Sequence, residues 1–407
     1  MSLDIGIGLS TEKDYSLAAK EAVRMAGMDM VSEKVDMAIV FSSRDLSSIG
    51  LLKNIALSIG GEVPLIGCSA TALLTPHGII KHGVLVVLLS IPATIQTTTA
   101  YIQELKNKKG TEGGRELADR LLADFKETRR VMSLVFADSS TEDAANLVAG
   151  MRERLGKIFP ILVGSLSGNR QPHRTYLYFN HSVLMDSALG VLWGGKLGFG
   201  LGSYHGWKPL GKPRTVTRSH DNTVEEIDGE YALKTYEEYF GTSAAELRKN
   251  FRIISMLYPL GISIDNEGEY LLRNAVAIEE NGSLRFQADI KQGSIVKLML
   301  ATKESCFDAA RRAAEEAKRN LLMGLANESS KTLNKRVVFV FESLSRQMLL
   351  NKDAAQEIKI IKDVFGPDVP LVGAYTYGEQ APLNLGSYYR DTVHFHNQAI
   401  SVLAIGG

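Results

Sequence analysis

The sequence has few cysteines, which limits the covalent and metal chemistry that it can support. Among 407 residues only Cys68 and Cys306 occur, and their spacing forms neither a CxxC motif nor a metal-binding cluster. Two cysteines in so long a chain are typical of a reducing compartment rather than of a secreted, disulfide-linked domain. We therefore expect a cytoplasmic protein.

The sequence also has no excess of charge of either sign. Lys plus Arg equals Asp plus Glu, at 46 each, so the whole chain has no net field that attracts nucleic acid or an anionic membrane. Two local basic runs, at residues 106–109 and 311–319, are interpreted as solvated faces. We expect no nucleic-acid partner and no insertion into a membrane.

Long hydrophobic runs are missing as well. The longest apolar stretches, such as residues 84–91, extend over about eight residues, whereas a membrane-spanning helix needs about 20. The N-terminal segment contains Asp4 and has no basic region followed by a long apolar stretch. We therefore expect no signal peptide.

What the sequence does contain is an internal repeat. Residues 35–70, 130–168 and 336–378 each begin with an apolar run that ends in Phe and a small polar residue, continue into an amphipathic helix, and close with Pro, apolar residues and Gly. Repeats of this kind indicate one supersecondary unit used several times. Residues 5–27 resemble residues 296–320, and both are interpreted as a strand, a turn with Thr as helix N-cap, and an Ala-rich helix. A looser equivalent in the second copy places a helix at about residues 116–125.

The repeat predicts β-α-β-α-β units, each followed by a further strand at residues 82–90, 187–195 or 398–407. Continuous apolar runs favour strands covered on both faces. The expected fold class is therefore α/β, with repeated units that form mostly parallel or mixed sheets.

Residues 204–292 lack this rhythm and are interpreted as an inserted antiparallel lobe. A turn at Asp228-Gly229, a helix at about residues 230–240, and two strands within residues 271–285 joined at Asn281-Gly282 are expected there. We expect a first region at residues 1–195 with two copies of the unit, and a second at residues 196–407 with the lobe and the third copy.

Several short motifs in this order resemble the FIST (F-box and intracellular signal transduction) domain family. They are Gly67-Cys68-Ser69-Ala70, HGWKPLG at 205–211, Val216-Thr217, Asp228-Gly229, Tyr236 to Gly241, Arg273, Asp289-Ile290 with Gly293, FESLSR with Arg346, and VPLVGAYTYGE at 369–379. The family's usual Cys is Ser343 here, which argues against a required thiol at that position. The resemblance implies N-terminal and C-terminal FIST regions and a sensory module for small ligands, amino acids among those proposed.

The polar residues that follow the repeated strands are the candidate ligand-binding residues, because ligands of α/β sheets bind beyond the carboxyl ends of strands. Together with Arg273 they are Ser42, Ser43, Arg44, Cys68, Ser69, Asp138, Ser139, Ser165, Ser343, Arg346, Tyr375, Tyr377 and Glu379. Arg346 or Arg273 suits a carboxylate and Glu379 an ammonium group. We expect these strand ends to surround a shared hollow, although Ser and Asp at such positions also serve simply as helix caps.

These residues predict a sensor that binds an amino-acid-like metabolite and signals to a partner protein, with no catalytic residue, metal or cofactor. One alternative is an enzyme that uses Cys68, with His77 and His82 nearby in the sequence, or a serine. Another is a scaffold without a ligand. The glycine-rich residues 195–202 read GxxGxGxG and do not lead into a helix, so a dinucleotide site is not expected there.

Overall fold

Three α/β units with a similar order of elements build most of the fold in a computed structural model of the protein, and the third has one additional helix. The structure describes residues 3–126, 129–138, 144–165, 175–264, 270–326, 336–376, 378–382 and 393–406. The first unit contains β1 (Asp4–Ser10), α1 (Tyr15–Asp29), β2 (Met37–Ser43), α2 (Ile49–Ile59), β3 (Leu65–Ala70), β4 (Leu73–Thr75), β5 (Gly78–Ile80) and β6 (Val84–Ser90). The second contains β7 (Ile95–Gln103), α3 (Glu112–Ala123), β8 (Arg130–Ala137), α4 (Ala144–Leu155), β9 (Ile161–Ser165), β10 (Leu177–Phe179), β11 (Ser182–Leu184) and β12 (Ser187–Gly195).

The third unit begins with one strand, is interrupted by the lobe, and then continues. Its first strand is β13 (Gly198–Tyr204). The lobe contains β14 (Lys208–His220), β15 (Thr223–Ile227), β16 (Glu230–Tyr231), α5 (Lys234–Phe240), α6 (Ala244–Leu257), β17 (Leu260–Ser263), β18 (Tyr270–Arg273), β19 (Ala275–Ile278), β20 (Leu284–Phe286) and β21 (Ile295–Leu300). The unit then resumes with α7 (Lys303–Ala326), β22 (Arg336–Ser343), α8 (Leu344–Leu350), α9 (Ala355–Phe365), β23 (Leu371–Thr376), β24 (Gly378–Pro382), β25 (Val393–His396) and β26 (Ile400–Gly406).

Each unit forms a mixed sheet that is completed by a hairpin from another unit. The pairs β2/β3, β8/β9 and β22/β23 are parallel, and the other neighbouring pairs in the three sheets are antiparallel. Hairpin β10–β11 of the second unit extends the first sheet beside β3, hairpin β4–β5 of the first extends the third beside β23, and hairpin β24–β25 of the third extends the second beside β9. The expected α/β class with mixed sheets is confirmed.

The lobe lies between the first strand and the first helix of the third unit. Strand β13 pairs with β26 along its whole length, as β1 pairs with β6 in the first unit. The expectation that residues 296 onward supply this strand was wrong, because β21 pairs with β14 and β17 inside the lobe. All strand pairs of the lobe are antiparallel, which confirms the expected antiparallel insertion.

Glycines on β13 allow this strand to pack directly against α7. A Cβ at Gly200 would lie 1.9 Å from the carbonyl oxygen of Ala317 on α7, so the strand and the helix touch through their backbones. The first unit repeats the arrangement, because a Cβ at Gly8 would lie 1.8 Å from the carbonyl oxygen of Ala22 on α1. The glycines of residues 195–202 thus include positions that only glycine can fill beside a helix.

In the lobe, the predicted Asp-Gly turn is present, whereas the predicted helix begins later than expected. Asp228 and Gly229 have φ angles of 55° and 82° and join β15 to β16, as an Asp-Gly pair in a tight hairpin does. The expected helix at about 230–240 begins only at Lys234, because Glu230–Tyr231 pairs with β15.

A continuous apolar core fills the space between the three sheets. Phe41, Phe136 and Phe341 occupy matching positions on β2, β8 and β22, and their ring centroids lie 5.7, 5.9 and 6.3 Å apart. All three side chains are fully buried. The outer face of each sheet packs on the helices of its own unit.

Candidate functional site

The shared hollow expected between the strand ends is filled at the level of the three phenylalanines. Cys68, Gly164 and Ala374 lie within β3, β9 and β23, where each is the register partner of one of these phenylalanines. Burial raises the pKa of the Cys68 thiol well above its usual value. A reactive cysteine needs a thiolate and access to solvent, and Cys68 has neither.

Two candidate serines of the first unit, Ser42 and Ser69, bind the hairpin segment of the second unit, and Ser43 bonds within its own unit. The Ser42 hydroxyl lies 2.6 Å from the hydroxyl of Tyr178 on β10, and Ser69 Oγ accepts a 2.9 Å hydrogen bond from the amide of Tyr176. Ser43 Oγ accepts from the amide of Gly83 at 3.1 Å. These contacts are structural. Among the described residues, Nε and Nη2 of Arg44 have no hydrogen-bond partner.

The candidate ligand-binding residues of the second unit differ in their hydrogen-bond partners. Asp138 accepts a 2.9 Å hydrogen bond from the amide of Asp186 and so fixes the start of β12. Ser165 is fully buried, and its hydroxyl has no hydrogen-bond partner among the described residues. Ser139 and Tyr377 lie outside the described residues. Glu379 lies in β24, where its backbone pairs with Gly164.

In the third unit Arg346 lies inside the protein rather than at an open strand end. Its side chain is fully buried and forms an ion pair with Glu357. It also donates to the carbonyl oxygens of His205 and, at 2.8 Å, of Cys306. Burial, the largest single cause, lowers the pKa of Arg346, but the charge and hydrogen bond of Glu357 and the charges of Cys306 and Glu342 together outweigh it, so the net pKa is raised.

Ser343, Tyr375 and Arg273 are buried as well. Ser343 Oγ donates to the carbonyl oxygen of Asn397 at 2.7 Å and accepts from the amide of Ser345, which caps α8. Arg273 Nη1 donates to the carbonyl oxygen of Leu272 at 3.0 Å. Burial, partly offset by Asp289, lowers the pKa of Arg273 to about 10.

An open cleft of about 360 Å³ lies where the lobe joins the third unit. Both connections between the two parts line it, namely the segment from the end of β13 to the start of β14 and the turn from β21 into α7. The lining residues are Ser203, Tyr204, His205, Gly206, Trp207, Lys208, Pro209, Thr302, Glu304, Ser305, Asp308, Ala309 and Arg312.

The first connection is fixed by His205 and Trp207. His205 Nδ1 accepts from the amide of Trp207 at 2.9 Å, and His205 Nε2 donates to the carbonyl oxygen of Tyr270 at 3.2 Å. Burial lowers the pKa of His205 to about 4, so the ring is neutral near pH 7 and keeps one donor and one acceptor. The Trp207 indole donates to the carbonyl oxygen of Leu257 at 3.0 Å.

Helix α7 supplies the charged wall of the cleft. Glu304, Asp308 and Arg312 follow one another at intervals of four residues, which places them on one face of the helix. The Arg312 guanidinium lies 4.3 Å from the centroid of the Tyr204 ring. Lys208 adds a second cation from β14. The cleft thus offers both signs of charge beside an aromatic ring.

Arg346 connects the sequence-based candidates with this cleft. The two carbonyl groups that it holds belong to His205 on the first connection and to Cys306 in the first turn of α7. Arg346 is therefore a positioning residue behind the wall of the cleft. The cleft itself was missed by sequence reasoning, although the HGWKPLG segment and the i, i+4 charge spacing on α7 are visible in the sequence.

The described residues contain no group of three or more His, Cys, Asp or Glu side chains arranged to hold a metal ion. Within the same residues, no helix has both the length and the apolar character that a membrane crossing needs.

Several known proteins are similar in sequence to this protein over most of its length. An uncharacterized protein of Mycobacterium bovis is 23% identical over 93% of this chain and 94% of its own length. An uncharacterized protein of Methanocaldococcus jannaschii is 24% identical over 82% of this chain and 66% of its own. A crystal structure of a cyanuric acid hydrolase from A. caulinodans is similar at a TM-score of 0.39 with 8% identity, over 98% of each chain.

Two family models match consecutive parts of the chain. The FIST N domain matches residues 36–230, and the FIST C domain matches residues 232–382. The boundary between them falls at the hairpin of β15 and β16, inside the lobe. Because these matches cover most of the sequence, the chain belongs to the FIST family of sensory signal-transduction domains.

Proposed function

We propose that this protein binds a small, amino-acid-like zwitterion in the cleft between the lobe and the third unit, and signals its occupancy to a partner protein in the cytoplasm. The observation that carries the proposal is the position of the cleft on both chain connections to the lobe. A ligand at such a place contacts the residues about which the two parts would move.

The size and charge of the cleft suit this ligand class. A volume of about 360 Å³ lies at the small end of the usual range for ligand sites, about 300–1,000 Å³. Arg312 presents a planar guanidinium that pairs with a carboxylate through two hydrogen bonds. Asp308, one turn earlier on α7, provides a carboxylate for an ammonium group.

Binding rather than catalysis is proposed because Cys68, the strongest candidate nucleophile, is enclosed in the core. Its raised pKa keeps it as a thiol near neutral pH. The signal would arise from a difference in ligand affinity between two arrangements of the lobe and the third unit.

Isothermal titration calorimetry with the amino acids and a series of carboxylates tests the proposal. We expect at least one amino acid to bind, and Arg312→Gln and Asp308→Asn each to weaken binding at least about tenfold, because a hydrogen bond to a charged group contributes about 1.5–3 kcal/mol. Arg115→Gln, which removes a half-buried arginine from α3, is the control and should leave affinity unchanged.

Two outcomes count against the proposal. Absence of heat with every compound would favour a scaffold without a ligand. Binding that is unaffected by Arg312→Gln would move the ligand away from the cleft.

A further inference from the structure

The outer surface of the first unit combines exposed apolar side chains with cations. Leu17 and Met28 on α1 are 55% and 75% exposed, and Leu57 on α2 is 79% exposed. We call the surface formed by Leu17, Lys20, Arg24, Met28, Lys53 and Leu57 the basic apolar face.

Helix geometry makes this face continuous. Lys20, Arg24 and Met28 follow at intervals of four residues on α1, as do Lys53 and Leu57 on α2, so each set forms one row. The opposite side of α1 packs on β1 through Ala22. The two helices are neighbours, because Ser16 Oγ on α1 donates to Asn54 Oδ1 on α2 at 2.9 Å.

The cations of this face have no acidic partner within the part of the chain that the structure describes. Lys20, Arg24 and Lys53 are exposed, and the polar contact of Arg24 is with the sulfur of Met28 at 3.2 Å. Helix α2 contains no acidic residue. On α1, Glu21 bonds to the hydroxyl of Ser10 on β1, away from the face.

The second unit provides an internal comparison, because α3 and α4 occupy the equivalent layer. There Arg115 pairs with Glu153 at 3.2 Å, and Arg154 pairs with Asp119 at 3.1 Å. That face is a network of opposite charges of the kind that water solvates well. The helical layer of the second unit therefore differs from that of the first unit, whose cations are unpaired among the described residues and stand beside exposed apolar side chains.

We propose that the basic apolar face binds an amphipathic helix of another protein, one whose apolar row is flanked by Asp or Glu. Acidic side chains would meet Lys20, Arg24 and Lys53, and the apolar row would cover Leu57 and Met28. An anionic membrane fits less well. Lys20 and Arg24 stand between Leu17 and Met28 along α1, so these apolar side chains could enter the hydrocarbon only together with the cations.

Fluorescence anisotropy with labelled peptides tests this inference without any ligand in the cleft. The probes are a set of 20-residue helical peptides with Leu at i, i+3, i+4 and i+7 and Glu on the flanks, with Lys/Leu peptides of the same pattern as counterparts. We expect the Glu/Leu peptides to bind and the Lys/Leu peptides not to bind.

Two matched variants locate the binding. Lys20→Glu/Arg24→Glu/Lys53→Glu should weaken Glu/Leu peptide binding about tenfold or more, since exposed ion pairs contribute about 0.2–1 kcal/mol each. Lys81→Glu/Lys196→Glu/Lys291→Glu changes the net charge equally at exposed sites elsewhere and should have little effect. Met28→Ser/Leu57→Ser should also weaken binding while circular dichroism stays unchanged.

Several results would overturn the inference. They are no binding of any Glu/Leu peptide at millimolar concentration, equal binding to both triple variants, or equal binding of Lys/Leu peptides. Binding to phosphatidylcholine/phosphatidylserine vesicles that depends on the same residues, without peptide binding, would assign the face to a membrane instead. Self-association that is lost in Met28→Ser/Leu57→Ser would assign it to a second copy of the chain.

Discussion

Replacing Glu342 with Gln should change how the stability of the protein depends on pH. Glu342 and Glu357 are both fully buried, and Arg346 is the cation that forms an ion pair with Glu357. Burial, reinforced by the negative charge of Glu357, raises the pKa of Glu342 well above its usual value of 4.5. One buried arginine balances one carboxylate, so the second carboxyl stays protonated and neutral.

The sign and size of the effect follow from proton linkage. A group whose folded-state pKa is raised contributes stability below its unfolded pKa, and that stability is lost as the pH rises towards the folded pKa. Above pH 4.5 the unfolded chain ionises at Glu342 while the folded protein holds the proton. The free energy of unfolding should therefore fall by about 1.4 kcal/mol for each pH unit, until the folded carboxyl also ionises.

Urea unfolding between pH 4.5 and 8, followed by circular dichroism and by fluorescence of the two tryptophans, measures this slope. Glu342→Gln should equal or fall below the wild type at pH 4.5 and exceed it by an amount that grows to roughly 2–4 kcal/mol near pH 7.5. Titrating groups that do not interact with Glu342 cancel in the difference between the two proteins. Parallel curves for wild type and Glu342→Gln would refute the assignment of a neutral buried carboxyl.

Three further predictions concern the core, the repeat and the cleft. Phe341→Ala should lower the free energy of unfolding by about 3–5 kcal/mol in urea titrations, because it leaves a cavity among three packed rings. Gly200→Ala should strongly lower the melting temperature, since its Cβ would lie 1.9 Å from a backbone oxygen of α7, whereas Gly324→Ala, with its nearest atom at 3.8 Å, should not. His205 has its pKa lowered from 6.5 to about 4, so wild-type stability should fall by about 3 kcal/mol as the pH drops through that window, and His205→Gln should lose this dependence in acid urea titrations.

The sequence alone predicted the repeated units, but it did not predict which strands pair within the third unit. Continuous apolar runs ending in Phe41, Phe136 and Phe341 located the central strands, because such runs are typical of strands covered on both faces. The first strand of the third unit was assigned to residues before α7 for lack of any sign of long-range pairing. Only the pairing of β13 with β26 shows that an insertion separates that strand from its helix.

Several candidate residues expected at an open strand end are buried instead, and the alternation of side chains along a strand accounts for this. Successive residues of a strand point to opposite faces, so Ser42 and Glu342, each following an inward phenylalanine, point towards the helical layer. There Ser42 meets Tyr178, and Glu342 lies near Glu357. Applied to the sequence, the same alternation would have predicted buried partners for both residues.

Hydrogen bonds between the third unit and the lobe set a condition on the proposed signalling. His205 bonds to Tyr270 at 3.2 Å, and Asn397 bonds to Asn274 at 3.2 Å and to Gln287 at 2.6 Å, all between the third unit and the lobe. At about 1 kcal/mol net for each bond, breaking these three would cost about 3 kcal/mol, so an arrangement that lacked them would have a population of about 1% or less. A ligand that prefers the observed arrangement would shift this population very little. A ligand that signals through the lobe must therefore bind the opened cleft more tightly, and replace with its own charged groups the hydrogen bonds that opening breaks.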